Sequence, residues 1–233
     1  MKTSLHGLVV AMGLVLSTSA MAADISVTVE NLSHGNHFTP LLIAAHPAAT
    51  HLFQTGSAAS VNLQAMAEGG DIAGLVADMA AGSADVIENP AMGLLAPAAS
   101  SSGTLMTAAA NTHLSVVAMI LPTNDGFIGL NGIEIPTTAG TYVYYVNGYD
   151  AGTEANDELV NGGGAPNVLG IPADPGGANG SGGTGVTTTE SNRTVHIHRG
   201  VLGDFDPAGG VSDLDSSVHR WLNPIAKVTL TVN

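Results

Sequence analysis

Residues 149–158 read YDAGTEANDE and gather four carboxylates, Asp150, Glu154, Asp157 and Glu158, in a chain of which only 10% of residues are charged. Crowded like charges repel, and a hard divalent cation relieves the repulsion. Calcium takes six to eight oxygens, typically carboxylates and backbone carbonyls from flexible loops. Asp150 and Glu154 stand four apart with Gly152 between them, so a sharp turn lets both carboxylates and an intervening carbonyl face one point. Asp125, in the turn TNDGF, joins them if the flanking strands lie side by side. The spacing of an EF-hand loop is absent. On the residues alone two readings stay open: a calcium site on Asp125, Asp150 and Glu154, or an acidic loop neutralised by water.

Histidine offers a second chemistry. In TVHIHRG, His196 and His198 are two apart on an expected strand, so both rings leave the same face with Cα atoms about 7 Å apart, within reach of one copper or zinc ion. A third ligand would come from His34, His37, His46, His51, His113 or His219, and the sequence does not choose among them. The competing reading is structural: imidazoles satisfied by backbone groups in a chain poor in other polar side chains.

Catalytic patterns are missing. No G-x-S-x-G nucleophile turn occurs, and neither GGGAP nor GLNG has the Lys and strand-to-helix context of a phosphate loop. The pairs Asp204/Asp206 and Asp213/Asp215 resemble a glycosidase dyad, but a sugar cleft needs aromatic walls and aromatics are 4% of the chain. Residues 203–221 therefore read as a solvated acidic loop with Asp side chains bonding their own turns, and Trp221 as packing over a sheet edge. The expectation is a non-catalytic protein.

The elements that must hold these side chains follow from periodicity. Residues 24–32 alternate Ile25, Val27 and Val29 with polar residues, the period of a half-buried strand. Residues 111–122, 141–149, 193–201 and 225–232 read as further strands, and 61–82 as two short helical pieces broken at Gly69-Gly70. Residues 123–140 read as a turn-rich connection. Residues 161–190, rich in Gly, bury too little apolar area to fold alone and read as a long surface loop. Short strands with Gly and Pro turns and little helix point to an all-β, antiparallel β-sandwich forming one domain over 24–233. Ahead of it, residues 1–23 have the charged start, short apolar stretch and A-x-A end of a secretory signal peptide, so export to the periplasm or cell surface is expected, with no membrane span. There is no Cys, so the fold rests on its core and on bound ions rather than disulfides. A formal net charge of -14 repels phosphate backbones and anionic lipid and favours cations, which excludes nucleic acid as a partner.

AMILPTNDGFIGLNGIEI (118–135) followed by YVNGYDAGTEAND (145–157) resembles the amino-terminal domain of spondins, where a Pro-Ser-Pro-Asp-Trp-Phe-Val-Gly-like stretch precedes a Tyr-Asp-Ala-Gly-Thr-Asp-like one. HFTPLLIAAH upstream, and HRW to KVTLTV downstream, match more loosely. The resemblance implies a C2-like antiparallel β-sandwich holding calcium between loops at one end, in extracellular proteins that bind matrix or cell surfaces; for this chain the partner expected is an extracellular protein or polysaccharide. By motif position the ligands are Asp125, Asp150 and Glu154, the last standing where the family has Asp. Gly126 replaces the family's Trp, and the cysteines of animal members are missing. The animal proteins' partner therefore does not carry over.

Overall fold

The computed structural model describes residues 22–166, 168–177 and 179–233. Of the signal peptide expected over 1–23, residues 1–21 lie outside these. Alternation sets the first strand: β1 (Asp24–Asn31) buries Ile25, Val27 and Val29 and turns Ser26, Thr28 and Glu30 the other way. Next come β2 (His37–Phe38) and β3 (Leu42–His46). Helices α1 (Val61–Gly69) and α2 (Ala73–Ala81) follow. The remaining strands are β4 (Asp85–Glu88), β5 (Ser100–Met106), β6 (His113–Leu121), β7 (Gly126–Glu134), β8 (Gly140–Asp150), β9 (His196–Ile197) and β10 (Ala226–Val232).

These ten strands form one antiparallel sheet in the order β4-β3-β6-β7-β8-β10-β1-β5, with β2 on β6 and β9 on β8. The sheet curls until its end strands β4 and β5 approach each other, and Gly103 on β5 leaves room for the approach: a Cβ there would lie 2.6 Å from the Ile87 Cδ1 on β4. The all-β expectation holds, and the architecture is a single curled sheet, nearly a barrel, with two helices against one flank.

Two cores result, and β6 lies between them. Val116, Ala118 and Ile120 point inside the curl, with Ile25, Val29, Ile43, Ile128, Val228 and Leu230. Val117, Met119 and Leu121 point outward, under Leu63, Met66, Leu75 and Met79 of the helices. A strand buried on both faces needs the continuous apolar run that β6 has. Each large helix side chain so buried contributes about 1.5–3 kcal/mol. The two helical pieces break where expected: the Ser60 hydroxyl accepts from the Leu63 amide to start α1, and Gly70 at φ 72° ends it.

Two expectations needed correction, and three strands had not been anticipated. Residues 123–140 are not one connection, since β7 occupies their middle. Its three glycines hide the strand pattern; Gly126 and Gly129 serve packing, a Cβ at Gly129 meeting the Phe53 ring at 2.6 Å, and Gly132 serves a left-handed backbone at φ 64°. Residues 193–201 contribute only the two-residue β9. Strands β3, β4 and β5 lie in Ala- and Ser-rich stretches that carry no clear alternation. Residues 161–190 hold no helix or strand among the described residues, as expected of a surface loop.

Candidate metal centre

Strand register brings the first two acids together. β7 and β8 pair Gly126 with Asp150 and Phe127 with Tyr149, so Asp125, one residue before β7, sits beside Asp150 at the end of the ladder. The Ala151 amide donates to the Asp125 carbonyl at 3.2 Å and closes that end. Below it Phe127 packs edge-on to Phe53, centroids 5.1 Å apart, and stacks with Tyr149 at 5.7 Å. On the other side of β8, β9 pairs His196 with Asp150.

The 150–154 turn wraps around Asp125. Gly152 at φ 71° makes the bend, and its amide donates to Asp150 Oδ1 at 2.8 Å. The Thr153 amide (2.8 Å), the Thr153 hydroxyl (3.2 Å) and the Glu154 amide (3.1 Å) all donate to Asp125 Oδ2. Asp125 Oδ1 is buried with no partner among the described residues. Asp150 Oδ2 accepts from Asn156 Nδ2 at 2.8 Å and faces His196 Nε2 at 3.8 Å. Asp125 is fully buried and Asp150 2% exposed. Burial, and then the Asp150 charge, push Asp125 up to about 8 against the usual 3.8. Burial also raises Asp150.

Glu154 shares the turn through its backbone, but its carboxylate points elsewhere. Oε2 accepts from Asn124 Nδ2 and from the Gly170 amide, each at 3.3 Å, while Oε1 is buried and unpartnered. Burial lifts it to about 7, helped by the charges of Glu68 and Asp157. The turn therefore gathers the three sequence-predicted acids at one loop junction, with Asp125 and Asp150 as a facing pair and Glu154 turned toward α1. Among the described residues no three His, Asp or Glu side chains are placed to hold one metal ion together.

The other acids of 149–158 are structural. Asp157 Oδ1 accepts from Asn124 Nδ2 at 2.8 Å and from the Leu159 amide at 3.0 Å. Glu158 accepts from the Leu202 and Gly203 amides and from the Ser212 hydroxyl, at 2.7, 2.9 and 2.7 Å, and so fastens the C-terminal loop to this one. The 203–221 acids bond their own loops, as expected: Asp204 Oδ2 takes the Val211 and Ser212 amides, and Asp215 Oδ1 the Ser217 amide.

The histidine pair is divided in its contacts. His196 Nδ1 bonds the Thr194 carbonyl at 2.8 Å, while its Nε2 faces Asp150. His198 is buried, its Nδ1 accepts from the Gly200 amide at 2.9 Å, and its ring lies 5.0 Å from that of Trp221. Burial, and then the Arg199 charge, lower its pKa to about 3, so it is neutral. Gly126 leaves room for Thr123 first and for this ring second: a Cβ there would meet Thr123 Oγ1 at 2.7 Å and His198 Cδ2 at 3.1 Å. Among the other His residues, His46 Nε2 bonds Ser115 Oγ at 2.7 Å and His219 Nε2 faces Asp174 at 3.2 Å. Trp221, expected over a sheet edge, is instead buried in the inner core.

Sequence reading missed Asn124, Asn156, Thr153 and Glu68. Asn124 directly precedes Asp125, so a polar pair at a strand start was a visible signal. Glu68, on α1, gave none.

Two loops meeting at a strand end, with a buried carboxylate oxygen left unpaired, suit a hard cation. The family model described as Spondin_N, the spondin amino-terminal domain, matches residues 30–158. These run from the end of β1 through the acidic turn. No curated protein matches the chain.

Proposed function

This chain belongs to the spondin amino-terminal domain family, and on that premise we propose that it is an exported, non-catalytic calcium-binding module. In this reading the curled sheet is a C2-like sandwich whose calcium ion fixes the loops at one end. The fixed end then presents an adhesive surface to an extracellular protein or polysaccharide, in the periplasm or at the cell surface. Asp125 and Asp150 bind the ion from adjacent strand ends, Glu154 supports it from the same turn, and backbone carbonyls and water fill the remaining positions.

The observation that carries the reading is Asp125: wholly buried, held by three donors on Oδ2, with Oδ1 bare beside a second carboxylate. Leaving such an oxygen unpaired costs about 1–3 kcal/mol, more for a charged group. A cation removes that cost and the Asp125–Asp150 repulsion together. Calcium added to chelator-treated protein should raise its Tm. No rise at millimolar calcium would end the proposal.

A second reading rests on His198 Nε2, which is also buried and unpartnered: copper or zinc held by His196 and His198. A chelator selective for zinc and copper lowers the Tm only under this reading.

A further inference from the structure

We propose that Glu68 and Glu154 form a second calcium subsite, which ties helix α1 to the acidic turn. The proposal rests on the calcium reading above but on different oxygens. Glu68 lies at the C-terminal end of α1 and is wholly buried. Gln64 Nε2, one turn back, donates to its Oε1 at 2.8 Å, and its Oε2 has no partner among the described residues. Glu154, 3% exposed, repeats the arrangement with Oε2 bonded and Oε1 bare.

Two features bring these carboxylates to one place. The C-terminal end of α1 lies against the Gly-rich loop: a Cβ at Gly69, the residue after Glu68, would clash with the Gly164 carbonyl oxygen. The loop whose Gly170 amide holds Glu154 also packs on the end of α1: a Cβ at Gly164 would lie 2.7 Å from the Glu68 carbonyl oxygen. No Lys or Arg neutralises either acid, since the chain has five in all and the only Lys or Arg salt bridge among the described residues joins Lys227 to Glu30. Burial raises the pKa of both acids, and the Glu68 charge adds to the cost of ionising Glu154.

Two buried carboxylates, each bonded through one oxygen and bare at the other, either share a proton or clasp a cation. The surroundings favour a hard cation over a soft one. The free acceptors are both carboxylate oxygens, Glu68 Oε2 and Glu154 Oε1. Calcium here would fasten α1, and with it the outer core, to the turn that holds Asp125.

Calcium stoichiometry by isothermal titration tests this, using calcium chloride and the chelated full chain, its Glu68→Gln variant and its Asp125→Asn variant, all checked for folding by circular dichroism. The subsite predicts two equivalents for the wild type and one for each variant. It also predicts that calcium slows amide exchange in 61–69 in the wild type and in Asp125→Asn, but not in Glu68→Gln. One wild-type equivalent that survives Glu68→Gln unchanged would overturn the subsite while leaving the first site standing. A single equivalent lost in both variants would also overturn it, by merging the two sites. No binding by folded wild-type protein would overturn the calcium reading itself. If Glu68→Gln fails to fold, Glu68→Asp takes its place: it keeps the charge on a shorter arm, and undiminished affinity at both sites would likewise count against the subsite.

Discussion

Asp125→Asn should stabilise the calcium-free protein while abolishing its response to calcium. Burial and the neighbouring Asp150 charge move Asp125 from 3.8 to about 8, and each unit of displacement is worth about 1.4 kcal/mol. At pH 7 the unfolded chain carries the ionised acid and the folded chain does not, a penalty of about 4 kcal/mol. Asn removes the titration. Its carbonyl keeps the three donors now on Oδ2, each about 1 kcal/mol weaker at most without the charge. The net gain is therefore about 1–4 kcal/mol, or about 2–16 °C in Tm for a domain of this size. Differential scanning calorimetry reads both effects. With calcium at about a hundred times its Kd the wild type should gain about 2.7 kcal/mol and the variant nothing. A variant that melts lower than wild type in chelator, or that still gains on adding calcium, refutes the reasoning.

Asp150→Asn should likewise lose the calcium-dependent rise in Tm, because one of the facing carboxylates is gone. In chelator the pH profile of Tm should have two falling arms. Asp125 contributes stability that is full below 3.8 and lost as pH rises through about 8, whereas His198, lowered from 6.5 to about 3, contributes stability present above 6.5 and lost as pH falls toward about 3. Calcium should flatten the alkaline arm alone, which a calorimetric series over about pH 4 to 9 checks. Phe127→Ala, under the metal centre and fully buried, should cost about 3–5 kcal/mol in urea denaturation. Glu158→Ala leaves the Leu202 and Gly203 amides and the Ser212 hydroxyl without their acceptor. It should cost about 2 kcal/mol or more and speed limited proteolysis within 200–213.

The parts legible in the sequence were those fixed by local pattern. Alternation gave β1 and β10, the apolar run gave β6, and Gly69-Gly70 gave the break between the helices. Asp125 and Asp150 could be paired in advance because adjacent strands place their ends together. The direction of the Glu154 side chain could not, since it depends on Asn124 and on the Gly170 amide, which tertiary packing brings in. Glu68 was hidden for the same reason: it is far from the acidic turn in the chain, and a Glu near a helix end ordinarily reads as solvated. β7 was lost because two of its glycines serve the close approach of Phe53, Thr123 and His198 and the third a left-handed backbone, and so erase the β-branched signal by which strands are recognised. The acids of 203–221 were legible in type, since Asp, Ser and Gly in alternation bond their own backbone.

Metal content decides the central claim most directly. The purified chain, equilibrated with equimolar calcium, zinc and copper and then dialysed, should retain calcium by elemental mass spectrometry, and Asp125→Asn should retain less. Zinc or copper in place of calcium, or calcium held equally by the variant, would contradict the account.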